Sequence, residues 1–437
     1  MSAIVMASVP IFGHVMPMTR LAGQLVERGH AVRFLTGARF ADSVEAVGAE
    51  FVALPAEADF DDRATHAGVD PSQRPDGVAG LRYDVMNVFL RPGRSQYEAL
   101  RATAIGPTDA VVVDPTFVGA ALLAASPRHA RPPVIVAGVL PLTLDSDFAP
   151  PFGLGLSPLQ RPAVGLDRMR NRVLRFAVQR GVFRSVQQEY EALFRSEVGR
   201  PAPGFVMNWL SGADAIIQFS VPAFEYPRPD ATVPIRFAGP LIRPTDQPLP
   251  PWWSEVDPDR PLVLVTQGTI ANDNLAELIR PTISALAETE VQLIATTGGP
   301  PVSDLGALPG NVRAAEFLPY EQVFRRVDAF VTNGGYGGVH FALAQGVPMV
   351  VAGAGEDKPE VAARAAWAGV GVNLRTGRPR PEVVAKAVRR VLEEPQYRLA
   401  AARVAREISE AAGVEVLLSE IERLQKRERL ARPSQSG

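Results

Sequence analysis

The chain has 437 residues, of which 46% are hydrophobic and 21% are charged, and its formal net charge is -2. This length is too great for one ordinary core and predicts two globular domains, while the near-neutral charge argues against nucleic acid or an anionic membrane as a partner. The absence of cysteine excludes disulfides, thiolate metal sites and cysteine nucleophiles.

The histidines and the N-terminus narrow the function classes further. The five histidines show neither H-x-x-H nor H-E-x-x-H spacing, so no histidine-built metal site is predicted. The opening letters MSAIVMASVP lack a basic region before their apolar run, which favours a strand over a signal peptide. No apolar run approaches the roughly 18 residues that suggest a transmembrane helix. We therefore expect a cytoplasmic protein without stable membrane insertion.

The first elements predict a parallel sheet. Residues 4–9 form a β-branched run, apolar residues then recur at helical spacing from Met18 until Gly29, and residues 31–35 are typical of a second strand. Strand, helix and strand in about thirty residues form a βαβ unit, whose strands are parallel. The predicted loop at 12–14 therefore lies at the carboxyl end of the first strand, where open α/β sheets bind ligands.

A second polar side chain is predicted at the same edge of the sheet. The buried strand at 110–113 ends in Asp114 and Pro115, so Asp114 can meet His14 across a cleft. A carboxylate on one ring nitrogen would fix the histidine tautomer and raise the basicity of the other nitrogen. Two structural interpretations stay open, because a histidine in a Gly-His turn can simply bond backbone and a strand-end aspartate often caps a helix.

Two segments, 73–106 and 140–165, are rich in Pro, Gly and Arg and show little periodicity. We predict long loops over a cleft, whose apolar side chains either line an acceptor pocket or pack as ordinary loop residues. Helices at 166–182 and 185–198 and a strand at 215–220 follow, and the arginines of the first helix are expected on a solvated face. The apolar loop candidates are Val88, Phe89, Leu140, Leu142, Phe148, Phe152, Leu154 and Leu156.

The clearest domain boundary is the proline-rich segment 239–261. Its prolines prevent regular structure, and Trp252 and Trp253 are expected to hold it between the domains. A strand at 262–265 then opens a second α/β unit. Two α/β halves joined by a linker predict a ligand in the cleft between them.

The stretch 330–358 carries the strongest local signal. A strand is followed by a glycine-rich turn at 333–338 and by a helix from about Val339. The unpaired N–H groups at such a helix start, together with the helix dipole, form an anion site that usually takes phosphate. After the next strand, the polar residues 356–358 can hold a hydroxylated ligand.

Taken in order, these motifs resemble those of the family-1 inverting glycosyltransferases with the GT-B fold, in particular the bacterial macrolide and natural-product type. The resemblance runs almost end to end, and its motifs are PIFGHV at 10–15, QGT at 267–269, FLPY at 317–320, NGGYGG at 333–338, GVPMV at 346–350 and EDK at 356–358. It implies two Rossmann-like α/β domains that face each other across a cleft. The implied parts are an acceptor domain at 1–238, a linker at 239–261, a nucleotide-sugar domain at 262–396, a helical segment at 397–427 and a disordered tail at 428–437.

The resemblance also implies a division of roles. His14 would be the general base that takes the acceptor's proton, and Asp114 would orient it. The reaction would be one displacement at the anomeric carbon without metal or other cofactor, with the leaving diphosphate stabilised by backbone amides. The implied donor-binding residues are Gln267, Gly268, Thr269, Phe317, Leu318, Tyr320, Asn333, Gly335, Gly337, Gly338, Asp357 and Lys358. The predicted acceptor residues are Phe12, Val88, Phe89, Leu140 and Phe148.

The chain departs from the family pattern at the donor site. Phe317 replaces the tryptophan that stacks on the base, and Tyr320 replaces the glutamine that holds the nucleoside. Asn333 replaces a histidine on the diphosphate, and its amide is expected to donate there. Phe341 replaces the glutamate that binds the ribose, and Lys358 replaces an amide that binds the sugar. These changes leave the donor identity open.

We predict transfer of a hexose from UDP-glucose, the usual donor of the family, to a hydroxyl of a hydrophobic natural product, by a monomer or homodimer. A dTDP-sugar donor is the first alternative, because loss of the ribose contact at Phe341 would tolerate a missing 2′-hydroxyl. Lys358 would favour an acidic sugar. A non-catalytic helper protein and a sugar-nucleotide 2-epimerase share the fold, whereas a dinucleotide dehydrogenase is disfavoured because no G-x-G-x-x-G follows the first strand.

Overall fold

The structure of the protein is a computed structural model, which describes residues 1–62, 74–75, 77–159, 164–242, 247–269, 272 and 274–431. Within these residues the chain forms two α/β domains, each built on a parallel sheet. This confirms the predicted pair of Rossmann-like domains. Part of the loop predicted at 140–165, residues 160–163, lies outside the described residues, as does the end of the predicted tail, 432–437.

In the described part of the chain, the N-terminal sheet has seven strands in the order β3-β2-β1-β4-β5-β6-β7, and every neighbouring pair is parallel. The first strands are short runs of Val, Ile and Ala that are buried on both faces, as a parallel sheet covered by helices requires. The strands are β1 (Ala3–Ala7), β2 (Ala31–Thr36), β3 (Glu50–Ala53), β4 (Ala110–Val113), β5 (Val134–Gly138), β6 (Ala215–Gln218) and β7 (Ile235–Phe237).

The helices of this domain are α1 (Phe12–Glu27), α2 (Ala41–Glu45), α3 (Gly77–Asp84), α4 (Gly93–Thr103), α5 (Gly119–Ala125), α6 (Gly165–Ala177) and α7 (Arg184–Val198). Short π-helical turns at Val85–Leu90 and Val178–Val182 continue α3 and α6. The predicted loop at 73–106 is therefore wrong, since most of it is helical. The segment from 140 to 159 is irregular, as predicted.

The start of α1 also differs from the prediction. The helix begins at Phe12, where the N–H groups of His14 and Val15 both donate to the Ile11 carbonyl. His14 therefore lies in the first turn of a helix and not in a loop. The apolar periodicity predicted a helix only from Met18; the turn before it is also helical, includes Pro17, and buries Val15 fully.

Within the ranges given above, the C-terminal sheet has six parallel strands in the order β10-β9-β8-β11-β12-β13. The strands are β8 (Leu262–Thr266), β9 (Gln292–Thr296), β10 (Val312–Ala315), β11 (Ala329–Thr332), β12 (Met349–Val351) and β13 (Gly371–Asn373). The helices are α8 (Ile279–Leu286), α9 (Tyr320–Val323), α10 (Tyr336–Ala344), α11 (Lys358–Ala368), α12 (Pro381–Glu393), α13 (Pro395–Glu410) and α14 (Val414–Ala431).

Both sheets run outward in two directions from a central pair, β1 and β4 in one domain and β8 and β11 in the other. In doubly wound sheets, ligands bind outside the carboxyl ends of the strands at this switch point. Alternate residues of each strand face separate apolar clusters; Val111 and Val113 belong to one, and Ala110 and Val112 to the other. Packing on both faces of each sheet fixes the positions of the strand ends. The loops that follow β1, β4, β8 and β11 form the candidate site.

The C-terminal segment divides between the two domains. The helical segment predicted at 397–427 is two helices, separated by a turn in which Gly413 has a φ of 62°. Helix α13 packs on the C-terminal domain, whereas α14 returns to the N-terminal domain and buries Val414, Leu417 and Ile421 in its core. Helix α14 ends at Ala431, four residues beyond the predicted end.

Candidate active site

The first feature of the cleft is a histidine–aspartate pair. His14 in the first turn of α1 places Nδ1 3.3 Å from Oδ1 of Asp114, which follows β4. The Asp114 side chain is fully buried, while that of His14 is 18% exposed and lines the cleft. The structure thus brings the two residues together across the switch point. Because Nδ1 faces the carboxylate, Nε2 is the ring nitrogen left for a ligand.

Hydrogen bonds fix the Asp114 carboxylate. Oδ2 accepts from the Val9 N–H at 2.9 Å, and Oδ1 accepts from the Thr116 N–H at 2.7 Å and the Thr116 hydroxyl at 2.5 Å. The Thr116 hydroxyl also lies 3.3 Å from Nδ1 of His14. Sequence reasoning missed Thr116, although an aspartate that bonds the N–H two residues later is a recognisable turn pattern.

The two groups shift each other's ionisation. Burial alone would lower the pKa of His14, but the charge and hydrogen bond of Asp114 raise it above its ordinary value, and Asp357 and Glu356 of the other domain raise it further. Burial alone would raise the pKa of Asp114, but His14 and Thr116 hold it below its ordinary value. The aspartate therefore stays ionised, and the histidine is a stronger base than a free imidazole.

These shifts predict a pH profile. Only neutral His14 can accept a proton, so kcat/KM should fall as the pH drops through a pKa above the ordinary 6.5. Asp114→Asn removes the main group that raises this pKa, so the acidic limb should move to lower pH while the maximal rate falls. The measurement is kcat/KM for the acceptor across the pH range in both proteins. An acidic limb that does not move in Asp114→Asn would contradict the assignment.

A helix start forms the second feature. Helix α10 begins at Tyr336, three residues earlier than predicted, so Gly337 and Gly338 lie in its first turn. The helix has no side-chain cap and no acidic residue in that turn, and its first N–H groups have no intrahelical acceptor. A Cβ atom built at Gly337 would meet nothing within 4 Å, and one at Gly338 would meet only Phe330 Cζ at 3.9 Å. The helix start is therefore open to an anion.

The polar side chains beside this turn hold the loops together. Asn333 donates from its amide to the Gln267 carbonyl, and its Oδ1 accepts from the Gly335 N–H at 3.3 Å. The Gln267 side-chain oxygen accepts from the N–H groups of Leu278 and Ile279 at 3.1 and 3.0 Å, at the start of α8. Both residues were predicted to bind the donor. Both line the cavity, and their side-chain amides bond backbone groups of the neighbouring loops.

Three predicted donor residues of the FLPY motif, Phe317, Leu318 and Tyr320, all line the cavity. Phe317 is 53% exposed, so its ring is available for stacking. The hydroxyl of Tyr320 lies 3.0 Å from Thr296 Oγ1. Its ring packs edge-on against Phe341, with centroids 6.1 Å apart, and Arg20 of α1 lies over Phe341 at 5.9 Å. Phe341, which stands where the family pattern has a ribose-binding glutamate, is thus an apolar residue. It contacts Arg20 of the N-terminal domain.

Three polar residues, Glu356 to Lys358, follow β12 and end at the first residue of α11. Lys358 forms an ion pair with Glu356, so its charge is balanced within the segment. The preference for an acidic donor sugar therefore stays a prediction. Glu356 adopts a φ of 56°, a conformation that costs about 1–3 kcal/mol outside glycine and often marks functional sites. Burial, partly opposed by Lys358, raises the pKa of Asp357, which also lines the cavity.

The cavity between the domains has a volume of about 550 Å³. Of the predicted acceptor residues, Phe12, Val88, Phe89 and Leu140 line it. Phe148 does not; its ring lies outside the lining and under the guanidinium of Arg168, at 4.6 Å. Apolar wall residues that sequence reasoning missed are Met16, Leu81, Val118, Val206, Met207 and Trp209.

Behind the cavity, a buried ionic cluster joins the domains. Arg364 of α11 donates to Glu225 of the N-terminal domain at 2.6 Å and to Glu360 at 2.9 Å, and all three side chains are at least 96% buried. Glu360 also accepts from the N–H groups of Gly153 and Gly155, at 2.9 and 2.8 Å. These glycines follow Phe152, which lines the cavity. The helix that begins at Lys358 is therefore bonded to the acceptor wall.

A second buried contact joins the domains beside α10. Nδ1 of His340 lies 2.8 Å from the Tyr336 carbonyl, which can only accept, so Nδ1 carries the proton. Nε2 then accepts from the Ser220 hydroxyl at 2.9 Å. Burial lowers the pKa of His340 to about 4, so the ring is neutral near pH 7. Gln218 also donates to the Tyr336 hydroxyl at 3.0 Å, which ties the anion-binding helix to β6.

The residues that the structure describes contain neither a metal-binding cluster nor a membrane-spanning helix. No group of three or more His, Asp or Glu side chains in those ranges could hold a metal ion. In the same ranges, every helix is too short or too polar to cross a membrane.

Comparison with known proteins identifies the family. Residues 280–422 match the family described as erythromycin biosynthesis protein CIII-like, C-terminal domain. The chain is 40% identical over 415 residues to 4'-demethylrebeccamycin synthase of Lentzea aerocolonigenes, which covers 92% of this chain and 94% of that protein. The chain belongs to the family-1 natural-product glycosyltransferases. This glycosyltransferase is also 34% identical to UDP-glycosyltransferase 2 of Phaeomoniella chlamydospora, over 96% of its own length and 95% of that protein.

Solved structures of natural-product glycosyltransferases have the same GT-B fold. The calicheamicin glycosyltransferase CalG4 is 27% identical, with a TM-score of 0.68 over 98% of both chains. The glycosyltransferase of kitacinnamycin gives a TM-score of 0.71 over 97% of this chain and 98% of that one, at 23% identity.

Proposed function

We propose that this glycosyltransferase moves a hexose from a nucleotide diphosphate sugar to a hydroxyl of a hydrophobic natural product, by a single in-line displacement. The observation that carries the proposal is one cavity lined by His14 of the N-terminal domain and by Asp357 and the start of α10 of the C-terminal domain. A base, a carboxylate for sugar hydroxyls and an anion site are the groups that such a transfer needs.

In the proposed step, the acceptor oxygen attacks the anomeric carbon while its proton passes to Nε2 of His14. The bond between the anomeric carbon and the diphosphate oxygen breaks, so the configuration inverts. Asp114, held by Val9 and Thr116, stabilises the imidazolium that forms. The raised pKa of His14 supports this role, because a more basic imidazole takes the proton from the acceptor hydroxyl more readily.

The leaving diphosphate is proposed to lie at the start of α10. The N–H groups of Tyr336, Gly337 and Gly338 and the positive end of the helix dipole would stabilise its charge. Asn333 would contribute indirectly, by bonding the Gly335 N–H and the Gln267 carbonyl and so fixing the turn. We propose this backbone site as the means of charge stabilisation, without a metal ion.

UDP-glucose is the first candidate donor. Relatives named UDP-glycosyltransferase 2 and UDP-glucosyltransferase A1, the second from Starmerella bombicola at 30% identity, support a uridine nucleotide. The observation that favours a dTDP-sugar instead is the apolar pair of Tyr320 and Phe341, where the family's ribose-binding glutamate is absent. The relatives favour an enzyme over a non-catalytic helper protein and over a 2-epimerase. A cytoplasmic location stays a prediction.

A donor-by-acceptor screen tests the proposal. We expect release of UDP from UDP-glucose only when a hydrophobic hydroxylated acceptor is present, and turnover with dTDP-glucose that is lower. The β-configuration of the product, read by NMR from the α-configured donor, tests the single displacement. Faster use of dTDP-glucose would replace the first donor with the alternative, and an α-linked product would contradict the mechanism. A reaction without acceptor is the control for hydrolysis.

A further inference from the structure

Helix α6 presents an apolar stripe to solvent. Leu166, Met169, Val173 and Phe176 are between 59% and 78% exposed, the opposite of what their residue types prefer. Their spacing of three, four and three residues places all four on one line of the helix. We call these four residues the α6 stripe. They do not line the active-site cavity.

The opposite side of α6 is polar and buried. Asp167 and Asn171 are at most 1% exposed, and they bond the Leu159 N–H and the Asp147 carbonyl, both at 3.0 Å. The helix is thus attached to the loop at 144–159 by polar contacts. Its apolar side is turned outward, which in a soluble protein marks an interaction surface.

The basic side chains beside the stripe are only partly compensated within the chain. Arg168, Arg172 and Arg175 lie 3.8, 2.5 and 2.8 Å from the carboxylate of Asp147. The hydrogen bond from Arg172, followed by that from Arg175, lowers the pKa of Asp147 to about 2, so this carboxylate stays charged. One carboxylate shared by three guanidinium groups leaves an excess of positive charge, and helices on anionic membranes also carry basic side chains beside the apolar face. The experiment therefore includes anionic vesicles as a competing partner.

We propose that the α6 stripe is the centre of a homodimer interface, formed with the same stripe of a second copy. Two α6 helices related by a twofold axis and running antiparallel would place Leu166 against Phe176 and Met169 against Val173, so the stripe is complementary to itself. The three-four spacing is that of the apolar seam of paired helices. Antiparallel packing also sets each helix dipole against the reverse dipole of the other.

The size of the patch fits a reversible dimer. Each stripe side chain offers on the order of 100 Å² of apolar surface, so four supply about half of the roughly 800 Å² that each partner buries in a standard interface. Leu159 and Val164, which precede α6, are also 64% and 45% exposed.

The interface would lie behind the acceptor wall. Helix α6 holds the loop at 144–159 through Asp167 and Asn171, and Phe152 of this loop lines the cavity. Dimerisation would therefore brace one wall of the site without supplying a residue to it. The proposal of a dimer does not depend on the donor or the acceptor.

Sedimentation velocity from about 1 to about 100 μM protein tests the proposal, because dimer formation depends on concentration. We expect the sedimentation coefficient of the wild type to rise towards that of a dimer, and the variant Met169→Glu, Val173→Glu to stay monomeric throughout. The matched control is Leu399→Glu, Leu430→Glu, which changes two apolar residues that are 71% and 88% exposed outside the stripe. It should dimerise like the wild type.

A wild type that stays monomeric, or a stripe variant that dimerises equally, would overturn the proposal. Co-sedimentation of wild-type monomer with phosphatidylserine vesicles, lost in the stripe variant, would overturn it in favour of a membrane surface. Disulfide cross-linking through introduced cysteines gives a second measurement. The chain has no cysteine of its own, and cysteine is a small uncharged replacement for the stripe side chains. Met169→Cys, Val173→Cys should form a disulfide-linked dimer on oxidation, and Leu399→Cys should not; equal cross-linking would count against the stripe.

Discussion

His14→Ala is expected to lower kcat/KM for glycosylation by about 10²–10⁴-fold, the usual contribution of a positioned general base. The loss should fall on the chemical step, because His14 is the proposed base, whereas the proposed nucleotide site is formed by residues of the other domain. Steady-state kinetics with both substrates varied measures it. Acceptors with more acidic hydroxyls should lose less, because they need less help in releasing the proton.

The matched control for this variant is His129→Ala, which changes an exposed histidine that does not line the cavity. It should keep the wild-type rate. Thermal stabilisation by UDP should be the same in His14→Ala as in the wild type, which separates a lost base from a lost fold. Retention of more than about a third of the wild-type kcat/KM in His14→Ala would contradict the base assignment.

Arg364→Met is expected to destabilise the protein by about 3–5 kcal/mol, because it leaves Glu225 buried without its main counter-ion. At present Arg364 balances Glu225 and Glu360 and also lies over the Tyr226 ring at 4.3 Å. The charge of Arg364 is a main reason that the pKa of Glu225, which burial alone would raise, lies below its ordinary value. Urea denaturation followed by tryptophan fluorescence measures the loss.

Two further variants make this test specific. Removing both charges in Arg364→Met, Glu225→Met should recover part of the loss, because Glu225 is then no longer a buried carboxylate without its main counter-ion. Recovery should stay incomplete, because Glu360 still lacks Arg364 and the buried Arg228 loses Glu225. Arg313→Met is the surface control, since its ion pair with Glu255 is 2.9 Å long but about half exposed. It should change stability by no more than about 1 kcal/mol. Equal losses in Arg364→Met and Arg313→Met would show that the buried cluster has no special role.

The four strands that carry the candidate site, β1, β4, β8 and β11, and the meeting of His14 with Asp114 could be predicted from sequence for one physical reason. Parallel strands buried on both faces are short apolar runs, and the polar residue that ends each run lies at the ligand-binding edge. His14 and Asp114 follow from that geometry without any knowledge of side-chain packing. The donor turn at 333–338 follows likewise, because glycines between a strand and a helix indicate close approach of a ligand.

Side-chain direction could not be predicted in the same way. Asn333 and Gln267 lie in the expected loops, but their amides bond backbone groups whose positions depend on how α8 and α10 pack. Phe148 is in the expected loop but lies against Arg168 of a helix twenty residues later. The pairing of Glu225 with Arg364 links positions 139 residues apart, and no local pattern indicates it.

The helices at 77–103 show that local composition alone can predict the wrong secondary structure. Gly80, Pro92 and Gly93 are typical of loops, and they led to the wrong prediction there. Proline is tolerated at Pro92 because it immediately precedes the first helical residue of α4. Gly93 allows α4 to pack closely on α7, since a Cβ atom there would lie only 3.1 Å from Leu193.

The return of α14 to the first domain has a consequence for how the enzyme is made. The surface that α14 covers on the N-terminal domain is formed by residues of the first half of the chain, such as Met18 and Ile217, whereas Leu417 and Ile421 emerge from the ribosome only after the C-terminal domain. Domains usually fold in the order of their synthesis. Here the N-terminal domain must wait, with an apolar groove uncovered, until the entire nucleotide-binding domain has been translated. The first domain to be synthesised is therefore the last to be completed.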